Sequence, residues 1–271
     1  MIEPSVWING ELVLASTSGV PPNDHGFLLG DGVFDTLIVR NEKPIFLDRH
    51  LRRLRNGIDR LQIKGTPTDS ELSTALSQLM AANNTADARI RITVTPGSGP
   101  SPRNRGTQPL TVITTSPLPD AHLSVSLCTV EWTRNERSPL TGIKSTSWGE
   151  NAAILRHATT NGFDNAILCD TTGRLSECTT SNLFLVIDEH IVTPSLSSGC
   201  LPGIIREVLI EEKLATEHNL FPPDFQRATE AFITSSTTGV VPVQRIDDRA
   251  FTTIGKSTAV AQEAIAKLSA H

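Results

Sequence analysis

Lys144 stands in the stretch SPLTGIKSTSWGEN, residues 138 to 151, with Ile143 before it, Ser145 and Thr146 after it and no acidic residue within five positions. Partial burial without a paired carboxylate lowers the pKa of a lysine, and a neutral amine can attack a carbonyl to form an imine. Of the other lysines, Lys43 lies in a turn, Lys213 ends a helix beside two glutamates, and Lys256 and Lys267 lie in the C-terminal segment. Those are places for a solvated cation, and on local sequence alone an ordinary surface lysine remains the alternative for Lys144. Two further stretches supply what an amine lacks. GCLPGIIRE, residues 199 to 207, runs into a helix start with Gly203 near its first turn, where backbone N–H groups and the helix dipole favour an anion. ITSSTTGVV, residues 233 to 241, sets a run of hydroxyls before Gly239, and hydroxyls are good phosphate donors. An amine together with an anion cradle suits pyridoxal 5′-phosphate. The pyridine ring of that cofactor acts as an electron sink only when an acid holds its nitrogen protonated. Glu177, in RLSECTTSNLFLV, is the candidate, since a carboxylate entering so apolar a strand is costly unless it has a partner. The alternative is an exposed strand start.

The elements that must position these residues can be read from periodicity. VWINGELV is a hairpin turning at Asn9-Gly10, and VFDTLIVRNEKPIFL a second strand pair turning at Asn41-Glu42. DRHLRRLRNGIDRLQI carries Leu51, Leu54, Ile58 and Leu61 at helical spacing, and a second helix follows, opened by a Thr68/Glu71 capping box. ARIRITVTPG and PLTVITTS alternate as half-buried strands do. SPLPDAH, residues 116 to 122, is the predicted linker between an N-terminal domain of residues 1–115 and a larger C-terminal domain of residues 123–271 that carries Lys144. In the latter, strands are predicted in LSVSLCTVEW, DNAILCD, SNLFLVI and HIVTP, with turns at Thr172-Gly173 and Asp188-Glu189. One helix is predicted in SWGENAAILRHATTNG, capped by Ser147 and Glu150 and stopped at Gly162, and another in PGIIREVLIEEKL. The fold class is α+β in two domains.

Composition excludes several functions. With 38% hydrophobic and 20% charged residues the chain is neither disordered nor fibrous, and a formal charge of −5 leaves no basic footprint for nucleic acid. No leader pattern opens the sequence and no stretch is long enough to span a bilayer, so a cytoplasmic protein without a membrane partner is expected. Cys128, Cys169, Cys178 and Cys200 have neither CxxC spacing nor a partnered histidine, as reduced thiols would, and no metal site is expected. AFTTIGKS, residues 250 to 257, lacks the first glycine of a phosphate loop, and GFLLGDG, residues 26 to 32, lacks dinucleotide spacing. HExxH and GxSxG do not occur.

The stretches DHGFLLGDGVFDT, HLRRL, GIKSTSW, NAILCDTTGRLSECTTSNLFLV, LPGIIRE and ITSSTTGVVPV follow one another along nearly the whole chain. In that order they resemble the class IV, fold-type IV pyridoxal-phosphate enzymes, which include D-amino-acid and branched-chain aminotransferases, (R)-selective amine transaminases and 4-amino-4-deoxychorismate lyases. The resemblance implies that Lys144 is the Schiff-base lysine, released as the substrate imine forms and then moving a proton between Cα and the cofactor's C4′. It implies Glu177 as the partner of the ring nitrogen, with Asn182 beside it, and Arg53 as the phosphate arginine, although helical spacing alone does not choose it over Arg52. Gly203, the N–H groups of Ile204 and Ile205, Thr237 and Ser236 would complete the phosphate cup, and Leu201 would pack on the ring. Phe34 and Thr238 would face the substrate. The implied architecture is a small N-terminal α+β domain and a larger barrel-like domain with the cofactor between them, in a homodimer acting on amino acids and 2-oxo acids.

Departures from the pattern concern the substrate. D-amino-acid aminotransferases carry a tyrosine at the position of Phe34 and an arginine in a TRG-like stretch at that of Pro96, and this chain contains no tyrosine. Arg103 or Arg105, from the same loop, could hold the substrate carboxylate instead, because a guanidinium matches it in two bonds. The favoured reading is a ping-pong aminotransferase with D-amino acids slightly preferred as donors. An aminodeoxychorismate lyase releasing pyruvate and 4-aminobenzoate is the alternative, and a cofactor-binding protein without turnover is the third.

Overall fold

The computed structural model describes residues 3–251 and 254–270. Its contacts divide the chain into two compact units, one running through Pro119 and including Ile143–Trp148, the other made of Asp120–Gly142 and the chain from Gly149 onward. The changeover at Pro119 lies inside the predicted linker, although Ser116 still pairs with Arg89 in a strand of the first unit. The strip Ile143–Trp148, which carries Lys144, groups with the first unit, while the chain on either side of it belongs to the second.

The first unit begins with β1 (Ser5–Ile8) and β2 (Glu11–Leu14), joined by Asn9 and Gly10, both at positive φ as a type I′ turn requires. The short helix α1 (His25–Leu29) leads into β3 (Val33–Arg40), β4 (Lys43–Pro44), α2 (Leu47–Arg60), α3 (Asp69–Ala82), β5 (Ala88–Thr95) and β6 (Leu110–Ser116). The strands form one sheet in the order β2-β1-β6-β5-β3-β4. α2 buries Leu51, Leu54 and Ile58, the spacing that predicted it, and α3, predicted from its capping box, buries Leu72, Leu76 and Leu79. The Thr68/Glu71 capping box is formed in both directions. Ile143–Trp148 joins this sheet locally: Phe34 N–H donates to the Lys144 carbonyl at 2.8 Å, and Thr146 N–H to Gly32 at 2.8 Å.

The second unit contains β7 (Val125–Arg134), α4 (Gly149–Thr160), β8 (Asn165–Asp170), β9 (Leu175–Cys178), β10 (Asn182–Ile187), β11 (His190–Pro194), α5 (Ile204–Glu211), β12 (Ala215–His218), β13 (Glu230–Ser235), β14 (Gly239–Ile246), β15 (Arg249–Ala250) and α6 (Lys256–Leu268). Nine strands form a curled half-barrel in the order β12-β11-β10-β13-β14-β7-β8-β9, with β15 beside β14. Its core runs through Leu127, Ile167, Leu183, Leu185, Val241 and Val243, and Phe184 stacks on Phe232 across β10 and β13 with centroids 4.7 Å apart. The mixed α+β architecture is that of the fold-type IV enzymes.

Three local expectations change. Glu177 lies on its own four-residue strand, β9, antiparallel to β8, and not at the start of the long apolar strand. The predicted Ser147 cap is not made: α4 starts at Gly149, and the Ser147 hydroxyl donates to the Gly30 carbonyl instead. Pro202 precedes the N-cap Gly203 of α5 and lies outside its first turn. The dismissed phosphate-loop stretch includes Thr252 and Thr253, which lie outside the described residues. The described part explains the dismissal: the start of α6 is occupied by the Glu230 carboxylate, which accepts from Ser257 N–H and Thr258 N–H at 3.2 and 2.9 Å. Among the described residues no helix is long and apolar enough to cross a membrane, and no cluster of three metal-ligating side chains occurs.

Candidate active site

In the first unit, Lys144 is held by its backbone against the start of β3 and its amine lies over aromatic rings. Nζ is 4.5 Å from the centroid of Phe34 and 4.7 Å from that of Trp148, and the two rings meet edge to face. The Arg91 guanidinium, from the neighbouring strand β5, stacks on the same Phe34 ring at 3.7 Å. Burial pushes the Arg91 pKa below its ordinary value, and the neighbouring Arg89 charge adds to the effect. One buried phenyl ring therefore carries both an amine and a guanidinium, each attracted to its electron-rich face. Neither Arg91 nor Trp148 was singled out by sequence reasoning. The i, i+2 alternation of β5 puts Arg91 on one face with Arg89 and Thr93, but pairing with Phe34's strand is a long-range fact.

Behind Phe34, Asp35 is fully buried. Arg53 donates to it from Nε and Nη2 at 2.8 Å each, and His50 Nδ1 lies 2.6 Å from its Oδ1. Burial acts to raise the pKa of this carboxyl, but the Arg53 and His50 charges and hydrogen bonds outweigh it and hold the group well below the usual carboxylate range. The structure separates the two arginines that helical spacing could not: Arg53 points inward to Asp35, whereas Arg52 is exposed. Arg105 forks onto Asp31 at 2.9 and 2.7 Å and also donates to the Leu61 carbonyl, so it ties its loop to the segment before β3. Arg103, on the same loop, is exposed.

In the second unit, the Glu177 side chain is 9% exposed. Its Oε2 accepts the Leu201 N–H at 3.0 Å, and Arg134 Nε, from the end of β7, lies 3.1 Å from Oε1. Leu201 is held at its other end as well, because Asn182 Nδ2 donates to the Leu201 carbonyl at 2.9 Å. A Cβ at Gly203 would strike the Asn182 carboxamide, so only glycine lets the chain turn this closely into α5. α3 is closed by Thr68 and α6 by Glu230, whereas α5 opens at Gly203 without a side-chain cap, as α2 does at Phe46. The first N–H groups of α5, those of the buried Ile204 and Ile205, have no partner within the helix, as at any helix start. At the β13–β14 turn, Ser235 Oγ lies 3.1 Å from the Thr237 hydroxyl and 2.8 Å from that of Thr238, with Ser236 between them in sequence. Asn182 thus serves as a support of the loop.

The donor set fits pyridoxal 5′-phosphate in kind. An amine, a buried carboxylate for the ring nitrogen, an uncapped helix start and a hydroxyl turn for the phosphate are each present within one or other unit. The four cysteines are free, and burial pushes the Cys178 and Cys200 thiols up, the latter to about 11, so they are inert beside Glu177.

Comparison with known proteins agrees with this chemistry. The family model described as amino-transferase class IV matches residues 32–246. A "Putative branched-chain-amino-acid aminotransferase" of Methanocaldococcus jannaschii is 31% identical over 90% of this chain and 88% of its own length. A D-alanine aminotransferase of Bacillus licheniformis is 29% identical over 89% of this chain and 88% of its own. An aminodeoxychorismate lyase of Bacillus subtilis is 26% identical over 90% and 87%. Among solved structures, a branched-chain aminotransferase from Thermoproteus uzoniensis superposes with a TM-score of 0.92 at 24% identity, covering 99% of this chain and 95% of the other.

Proposed function

The chain belongs to the class IV aminotransferases, which are pyridoxal-phosphate enzymes, and from that premise we propose that it exchanges an amino group between an amino acid and a 2-oxo acid by a ping-pong mechanism. The cofactor supplies a carbonyl that takes up the amine and a ring that accepts the electron pair released at the substrate's Cα. This chain's residues do the rest. Lys144 would hold the cofactor through Nζ and move the proton, Glu177 would partner the ring nitrogen, and Ile204 N–H, Ile205 N–H, Thr237 and Arg53 would hold the phosphate. Asp35, itself held by His50, fixes the direction of the Arg53 guanidinium.

The observation that carries the reading is the sharing of the Phe34 ring by Lys144 and Arg91. An α-amino acid presents a nitrogen and a carboxylate within a few ångströms of each other, and here an amine and a guanidinium flank one aromatic wall. Arg91 is accordingly our carboxylate-binding residue in place of the exposed Arg103 or of Arg105, which spends Nε and Nη2 on Asp31 and Nη1 on the Leu61 carbonyl. Phe34 and Trp148 offer an apolar surface to the side chain. Branched-chain amino acids and D-alanine, the donors named in two relatives, share an apolar side chain. The visible spectrum of the purified holoenzyme, titrated with D-amino acids first and then with their L-isomers, tests this reading. A band that collapses with apolar donors of one handedness supports it, and a band indifferent to every amino acid sinks it. Pyruvate release from aminodeoxychorismate tests the lyase reading that the Bacillus subtilis relative favours. The working unit in this reading is a homodimer, supported by the exposure of three successive apolar residues of α1, Phe27, Leu28 and Leu29.

A further inference from the structure

We infer that Arg134 is the positioning residue that keeps Glu177 ionised, so that the proton shared between that carboxylate and the cofactor stays on the ring nitrogen. The inference rests on the assignment of Glu177 to the ring nitrogen made above. A carboxylate and a pyridine can share one proton in two ways, as an anion with a pyridinium or as a carboxylic acid with a neutral ring. Only the first makes a strong electron sink. Burial by itself favours the second, because it penalises the charged forms.

The geometry tips this balance. Arg134 Nε lies 3.1 Å from Glu177 Oε1, and the side chains are 15% and 9% exposed, so water screens the pair weakly. The contact is one of charge: Arg134 Nε is a buried donor with no hydrogen-bond partner, although it stands beside the carboxylate. Arg134 is held from its other side by Asn151, whose Oδ1 lies 3.3 Å from Nη1, while Asn151 Nδ2 donates to the Thr179 carbonyl. Glu150 Oε2, at 3.8 Å and more exposed, offsets part of its charge. Of the other groups near Glu177, the Leu201 N–H also favours the anion, and the Cys178 and Cys200 thiols are neutral. A guanidinium this near repels a proton placed on the carboxylate more than one placed on the ring nitrogen beyond it, since Coulomb energy falls with distance. Arg134 touches neither ring nor substrate in this role.

The test uses holoenzyme carrying cofactor labelled with a nitrogen isotope in the ring, read by magnetic resonance and by pH titration of the visible band. The ring nitrogen is expected in the pyridinium range in the parent protein. Arg134→Gln should move it toward neutral pyridine and raise the pH midpoint of the visible band by about one unit, a tenfold change in proton affinity. Arg134→Lys should restore the pyridinium signal, as a packing role alone would not. If the glutamine variant does not fold by circular dichroism, Arg134→Met keeps the apolar stem and gives the same reading. A pyridinium signal unchanged in the uncharged variants but lost in Glu177→Gln overturns the role of Arg134 alone. A signal unchanged in Glu177→Gln as well, or a parent protein that takes up no cofactor, sinks the assignment of Glu177 and this inference with it.

Discussion

Asp35 and Glu177 are both buried carboxylates facing an arginine, one in each unit, yet they are partnered in different ways. Asp35 meets Arg53 fork to fork at 2.8 Å and His50 at 2.6 Å, so its charge is answered by two side chains of α2. Glu177 takes a backbone N–H at one oxygen and an unaligned guanidinium at the other. The first arrangement resembles a structural ion-pair network, stiff and locked at low proton affinity. The second resembles a functional acid, whose charge is supported without being locked in place. Alignment, more than burial, separates a carboxylate that holds a fold together from one that can share a proton.

This contrast can be broken by substitution. Asp35→Asn leaves Arg53 and His50 facing a neutral amide in the interior and is expected to cost about 3–5 kcal/mol in urea unfolding, the range for breaking a buried pair. Glu177→Gln is expected to lower kcat by about 100-fold, or nearly 3 kcal/mol, while moving the urea midpoint far less than Asp35→Asn does. Equal losses of stability in the two variants would erase the distinction. Asn182→Ala strips the Leu201 carbonyl of its partner and should cost about 1–3 kcal/mol of stability, with a weaker hold on pyridoxal phosphate measured by equilibrium dialysis. Acid titration sharpens the comparison further. The folded-state pKa of Asp35 lies below its unfolded value, so its stabilisation is fully present above the unfolded pKa and is lost as pH falls from about 5 toward the lowered folded value. Unfolding midpoints measured across that range should fall in the parent protein and change less in Asp35→Asn. As the smallest effect, Thr68→Ala removes a surface cap far from both carboxylates and should cost about 1 kcal/mol with no change in cofactor binding.

Much of the frame was legible because local chemistry specifies it. The Asn9-Gly10 turn needs positive φ, the Thr68/Glu71 box closes within four residues, and the stripe Leu51-Leu54-Ile58 follows the helical period. These signals act within a few residues, so they survive without knowledge of the rest. Ser147 and Glu150 show the limit of such reasoning. The spacing of a capping box is present, but a tertiary partner, the Gly30 carbonyl, takes the hydroxyl. The C-terminal helix α6 was not predicted either, because its start is completed by Glu230 from a strand 25 residues earlier.

The candidate site divides along the same line. Lys144, Glu177, Gly203 and the hydroxyl turn could be named from residue type and neighbours, and their order along the chain carried the family. Arg91, Trp148 and Arg134 could not, since an arginine or tryptophan becomes part of a site only when a sheet brings it beside a ring or a carboxylate. The sequence by itself determined the kinds of groups available: an unusual lysine, an uncapped helix start and a carboxylate beside an apolar strand. Only the tertiary structure decided which charges meet, because ion pairs and cation–π contacts depend on distances of 3 to 5 Å between residues up to 110 positions apart, and no local periodicity encodes them.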